Sequence, residues 1–122
     1  MSKKILVADD EPNILTALEF LLQRNGYDVQ IARNGEEALQ LIASSPPDLV
    51  LLDVMMPLRS GYEVCRRIRE RADWSHIKIV MLSAKGRDAE VTKGLAMGAD
   101  LYVTKPFSTR ELVDKVKALL PP

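Results

Sequence analysis

Within Asp48-Leu49-Val50-Leu51-Leu52-Asp53, the unbroken apolar run Leu49 to Leu52 stops on a carboxylate. A strand with one wet face alternates apolar and polar residues. A strand covered on both faces does not, so this run predicts an interior strand of a parallel sheet, the third of the chain, over Asp48 to Asp53. Three other runs share the design: Ile5-Leu6-Val7-Ala8 stops at Asp9-Asp10, Ile79-Val80-Met81-Leu82 at Ser83, and Tyr102-Val103-Thr104 at Lys105. Each ends on a residue type able to handle phosphate or metal.

Helical patterns separate the runs. The first strand, Lys4 to Asp9, leads to Pro12 in a first helical turn, and Ile14, Leu15, Leu18, Leu21 and Leu22 form a stripe that ends at Asn25-Gly26. The second strand is Asp28 to Ala32. Asn34 with Glu37 marks the next helix start, Ala38, Leu39, Leu41 and Ile42 supply its apolar side, and Pro46-Pro47 ends it. After Pro57, Ser60 with Glu63 opens a helix to about Arg71. The fourth strand is Lys78 to Leu82, a helix from Asp88 to Met97 stops at Gly98, the fifth strand is Asp100 to Thr104, and Ser108 with Glu111 opens the last helix.

The expected fold is therefore α/β, a doubly wound (βα)5 unit with a five-stranded parallel sheet. Single-helix crossovers are right-handed and carry every strand end to one edge. In the flavodoxin-like order 2-1-3-4-5 the winding reverses between strands one and three, where ligands bind in such sheets. Asp9, Asp10 and Asp53 lie on those two strands.

Composition bounds the rest. At 122 residues the chain reads as one domain, 1–122, and the 17 basic residues cancel the 17 acidic ones. No net field draws it to nucleic acid or to an anionic membrane. Cys65 is the single cysteine, which excludes an internal disulfide and a cysteine-based zinc site. With no long apolar span, the chain reads as soluble and cytoplasmic. The Pro121-Pro122 end reads as a terminus or the start of a linker to a further part.

Two carboxylates about 5 Å apart repel by roughly 3 kcal/mol at an effective dielectric near 20, so three in one crevice need a countercharge. A hard divalent cation suits them, and Mg²⁺ prefers one or two carboxylates plus waters and phosphate oxygens. That set suits phosphoryl transfer, with Asp53 as nucleophile, Lys105 neutralising the transferring oxygens and Ser83 donating to the bound group. Singly, Asp10 or Glu11 reads as a helix cap, Asp53 as a turn residue, Lys105 as a surface charge and Ser83 as a loop hydroxyl. Coincidence would have to put each at the end of its own strand on the same rim.

Asp9-Asp10, Asp53-Val54-Met55-Met56-Pro57 with Gly61, Leu82-Ser83-Ala84, Gly98-Ala99-Asp100 and Tyr102-Val103-Thr104-Lys105-Pro106-Phe107 together resemble the receiver domain of bacterial two-component response regulators, a CheY-like superfamily, over essentially the whole chain. The resemblance implies that Asp53 accepts a phosphoryl group from the phosphohistidine of a sensor histidine kinase or phosphotransfer protein. It also implies Mg²⁺, with Mn²⁺ as a substitute, held by Asp10, by Asp9 largely through water, by Asp53 and by the backbone carbonyl of Met55. Lys105 would pair with the phosphate, Ser83 and Tyr102 would form the switch, and the bond to Pro106 would be cis.

The implied function is a phosphorylation-controlled signalling switch with its own phosphorylation and autodephosphorylation chemistry, not an enzyme with a separate substrate. Its output passes through helix four, strand five and helix five to a protein target, to an output domain elsewhere in a longer protein, or to a phosphorylation-dependent homodimer. Leu101 follows Asp100 where many relatives carry a second acid, which favours an apolar partner contact over a salt-bridged dimer. Met55 and Lys85 occupy the positions that tune phosphate lifetime in the family.

A Mg²⁺-dependent phosphatase with an aspartyl-phosphate intermediate is the enzyme alternative, but such proteins usually carry an acid two residues after the nucleophile, where this chain has Met55. A flavin mononucleotide carrier would meet repulsion from Asp9-Asp10-Glu11, and an unphosphorylated adaptor would have no use for the intact acids and lysine. Trp74, His76 and Cys65 read as structural, and Arg66, Arg67, Arg69 and Arg71 as a solvated face.

Overall fold

A computed structural model describes residues 2–84 and 88–122. The elements run β1 (Lys4–Ala8), α1 (Pro12–Arg24), β2 (Asp28–Ala32), α2 (Gly35–Ser44), β3 (Leu49–Asp53), α3 (Gly61–Arg69), a 3-10 turn (Ala72–Trp74), β4 (Lys78–Ser83), α4 (Asp88–Ala96), β5 (Leu101–Thr104) and α5 (Thr109–Leu119). The sheet is parallel throughout, in the order β2-β1-β3-β4-β5. This is the expected doubly wound, flavodoxin-like α/β fold.

The absence of alternation in the strands has a direct cause. Leu6 and Ala8, Val50 and Leu52, and Ile79 and Met81 point to one core, whereas Ile5 and Val7, Leu49 and Leu51, and Val80 and Leu82 point to the other. Residues of α2 and α3 fill the first, with Met97 and Tyr102 packed against it. Those of α1 and α5 fill the second. Both faces of the three central strands are therefore dry.

Helix starts follow the sequence pattern: the Asn34, Ser60 and Ser108 side chains accept from the backbone N–H groups of Glu37, Glu63 and Glu111, at 2.8, 3.2 and 3.3 Å. Several ends move by one or two residues. β1 stops at Ala8, although the Asp9 N–H still donates to the Ala32 carbonyl. β3 starts at Leu49, although the Asp48 N–H still donates to the Lys4 carbonyl while its carboxylate accepts from the Lys4 N–H, both at 2.8 Å. Likewise β5 starts at Leu101, the Asp100 carboxylate accepting from the Ile79 N–H. β4 extends to Ser83, α3 closes at Arg69 and α4 at Ala96.

Leu101 is half-buried against the second core beside its register partner Val80. One expectation needs correction. Arg69 and Arg71 are not merely solvated. Arg69 donates to the Gly98 carbonyl at 2.9 Å and to Asp100 at 3.0 Å, while Arg71 lies 4.0 Å over the Trp74 ring and pairs with Asp73. Arg66 and Arg67 stay exposed. Cys65 and Trp74 are buried core residues, and His76 is exposed. Lys85 lies outside the described residues. Among the described residues no helix is long and apolar enough to cross a membrane.

Candidate functional site

The strand ends converge as parallel topology requires. Asp53 closes β3 and is only 4% exposed, Asp9 follows β1 at 0%, and Ser83 closes β4 at 0%. One carboxylate oxygen from each of Asp9, Asp10 and Asp53 lies within 4.8 Å of the others. Asp10 is exposed, so the cluster opens to solvent on its side.

Backbone contacts hold the rim in place. The Val54 N–H donates to the Leu82 carbonyl at 2.9 Å, and the Lys105 N–H to the Ser83 carbonyl at 2.7 Å. The Met55 N–H reaches Asp53 Oδ1 at 3.3 Å, and the Glu11 N–H reaches Asp9 Oδ1 at 2.9 Å. Gly61 lets the start of α3 press on this backbone. Its N–H donates to the Val54 carbonyl at 2.8 Å, and a Cβ there would stand 2.3 Å from the Asp53 carbonyl oxygen.

Lys105 reaches in from the end of β5, followed by the cis bond to Pro106. Its Nζ lies 3.0 Å from Asp9 Oδ2, 3.1 Å from Glu11 Oε1 and 3.5 Å from Asp53 Oδ2. Burial alone would lower its pKa, but the bonds to Asp9 and Glu11 and the charge of Asp53 outweigh this, and the ammonium is held above the ordinary lysine range. Glu11 was not expected here as a lysine partner. The acidic run Asp9-Asp10-Glu11 was the available signal, but whether its third member caps a helix or meets a lysine on another strand depends on tertiary placement. In the structure Glu11 flanks α1 without a side-chain cap bond.

The pKa of Asp53 is raised to about 7, first by burial and then by the Asp9 charge; Lys105 and the Met55 N–H oppose this, and Asp10 adds to it. Burial and neighbouring like charges thus act in the direction the sequence suggested. Asp10, Glu11, Asp53, Met55, Ala84 and Lys105 line a crevice of about 260 Å³. The donors are hard oxygens, two carboxylates buried and one open to water, a set that fits a small divalent cation retaining part of its hydration.

Tyr102 stands on β5 opposite Met81 and packs, half-buried, against the first core, beside α4. It is on the strand next to Ser83, whose register partner is Thr104. The β3–α3 connection is braced from outside: Arg59 pairs with Glu36 at 2.8 Å and with Glu63, tying the loop to α2 and α3.

The response regulator receiver domain family matches residues 5–117. Solved structures agree over the full fold. A putative response regulator from Chloroflexus aurantiacus J-10-fl is 37% identical, with a TM-score of 0.91 and 100% of each chain covered. The BeF3-activated receiver domain of DrrB is 39% identical, with a TM-score of 0.89 and 100% of each chain covered. The longer DrrB chain, an OmpR/PhoB homolog from Thermotoga maritima, is 40% identical, with a TM-score of 0.89, and the match covers 98% of this chain and 53% of that one.

Proposed function

Because the chain belongs to the response regulator receiver domain family, we propose that it is a phosphorylation-controlled switch in which Asp53 accepts a phosphoryl group from a phosphohistidine. The observation that carries the reading is the meeting of a buried carboxylate, two flanking acids and one ammonium at a single rim. A carboxylate oxygen of Asp53 attacks phosphorus, a P–O bond forms, and the P–N bond breaks with its electron pair leaving on the imidazole nitrogen.

Asp10, Asp53 and the Met55 carbonyl, with Asp9 largely through water, would hold Mg²⁺, or Mn²⁺ in its place. When bound, the cation supplies charge neutralisation for the transferring oxygens. The Lys105 ammonium adds to that neutralisation, leaving Glu11 and Asp9 for the stronger acceptors that phosphoryl oxygens present. Both cations also favour the ionised form of Asp53 that attack requires. Ser83 then donates to the phosphoryl group and moves inward, and the Tyr102 ring follows into the space released. The shifted α4–β5–α5 face is the output, read by a protein target, an output domain or a second copy of the chain.

The donors of the phosphoryl group are a sensor histidine kinase or phosphotransfer protein, and residues 1–122 form one receiver domain working in the cytoplasm, where a lone cysteine stays reduced. A phosphatase is not favoured, because the exposed Met55 stands where that chemistry needs an acid. Incubation with Mg²⁺ and acetyl phosphate tests the reading. One acid-stable, base-labile phosphoryl group at Asp53, lost in Asp53→Asn and in excess chelator, supports it. Undiminished labelling under either condition overturns it.

A further inference from the structure

Tyr62, the second residue of α3, reaches across to α4. Its hydroxyl donates to Glu90 Oε2 at 3.0 Å, and Lys93 Nζ sits 4.3 Å over its ring centroid. Glu90 and Lys93 are three apart on α4 and so share a face of that helix. One phenol therefore holds α4 at two points, through its edge and through its face.

The same phenol meets the switch aromatic. Burial holds its hydroxyl above the ordinary phenol range, followed by the bond to Glu90 and by charge and hydrogen-bond interactions with Tyr102. Both rings pack on the first core. Gly94, one residue after Lys93, lies against Tyr102: a Cβ there would stand 2.8 Å from Tyr102 Cδ2 and 2.8 Å from Met81 Sδ. Such close seating leaves little room to move Tyr102 without reseating α4.

We propose that Tyr62 is a positioning residue, a clasp from α3 that fixes α4 over Tyr102 in the resting state and has to open for the switch to turn. The inference rests on the phosphorylation reading. Inward movement of Tyr102 withdraws it from Tyr62 and lets α4 shift away from Gly94's present seat. The clasp then stabilises only the resting arrangement, and an activating ligand works against it.

The test is a beryllofluoride titration at saturating Mg²⁺, followed by amide shifts, on the parent chain, Tyr62→Phe, Glu90→Ala and the double variant. Tyr62→Phe keeps the ring and its Lys93 contact and deletes the hydroxyl. Each single variant should lower the midpoint roughly two- to tenfold, the range for one partly exposed hydrogen bond. The double variant should add little beyond the larger single effect, because both remove the same bond. A merely structural role would lower thermal stability and leave the midpoint unmoved. An unchanged or raised midpoint in Tyr62→Phe, or fully additive effects, overturns the clasp. Failure of the parent to respond to beryllofluoride at all would instead remove the phosphorylation reading beneath it.

Discussion

The Lys105 ammonium lies 3.0 Å from the Asp9 carboxylate. Asp53, at 3.5 Å, is the more distant partner, and it is the carboxylate whose pKa is raised to about 7. Among the described residues, Lys105 thus gives its closest contact to a flanking acid and leaves the proposed phosphoacceptor short of compensation, ready for an added cation.

That imbalance has a pH signature. The Asp53 pKa lies above its unfolded value near 4, so between about pH 4 and 7 the folded chain holds a proton that the unfolded chain has released. Without Mg²⁺, this contribution to stability falls as pH rises through that window and is flat above it. The difference in unfolding free energy between Asp53→Asn and the parent should therefore grow by a few kcal/mol from pH 4 to pH 8 in favour of the variant. Denaturant titrations across that range measure it, and a difference independent of pH would contradict the site's electrostatics.

Mg²⁺ binding separates two charged residues. Asp10→Asn removes a formal charge from the ligand set and should weaken binding, while Lys105→Ala removes a competing cation and should leave binding intact or tighter. Binding to the parent near pH 7 should also release protons, seen calorimetrically as a heat that varies with the buffer. Equal weakening in the two variants would deny Lys105 its separate role.

Leu58 is 78% exposed with φ 70°, and the Arg59 N–H donates back across it to the Pro57 carbonyl at 2.8 Å. This three-residue turn strains any side-chain-bearing residue. Leu58→Gly should stabilise the fold by roughly 1 kcal/mol, the relief of strain exceeding the added freedom of the unfolded chain. A loss of stability in thermal unfolding would show that the Leu58 side chain makes contacts that outweigh the strain.

Trp74 is buried under Arg71 before the first residue of β4, and Ser83 is at the far end of that strand. The strand separates them by roughly 17 Å at about 3.3 Å per residue. Tryptophan fluorescence should barely change on adding Mg²⁺ or beryllofluoride. A large change would mean that the switch reaches the opposite edge of the sheet.

Legibility from sequence followed the range of the forces involved. Strands such as Leu49–Asp53 and caps such as Asn34 over Glu37 are local, set by burial pattern and by neighbours three residues apart, and they were readable. So was the convergence of Asp9, Asp53, Ser83 and Lys105, because parallel topology alone carries strand ends to one rim. Contacts between distant helices and loops were not. Glu11 meeting Lys105, Arg69 reaching Gly98 and Asp100, and Tyr62 joining Glu90 each depend on side-chain reach across packed elements, which no short-range pattern encodes.

The central claim is that modification of Asp53 is read by Tyr102 through Ser83, and an amide shift map of the chain with Mg²⁺ and beryllofluoride tests it most directly. Large shifts are predicted at Ser83, Ala84 and Tyr102 and along α4, β5 and α5. In Ser83→Ala, beryllofluoride should still bind at Asp53 while the Tyr102 shift collapses. A map that clusters on α1 and α2 with Tyr102 silent, or a Tyr102 response undiminished in Ser83→Ala, would contradict the account.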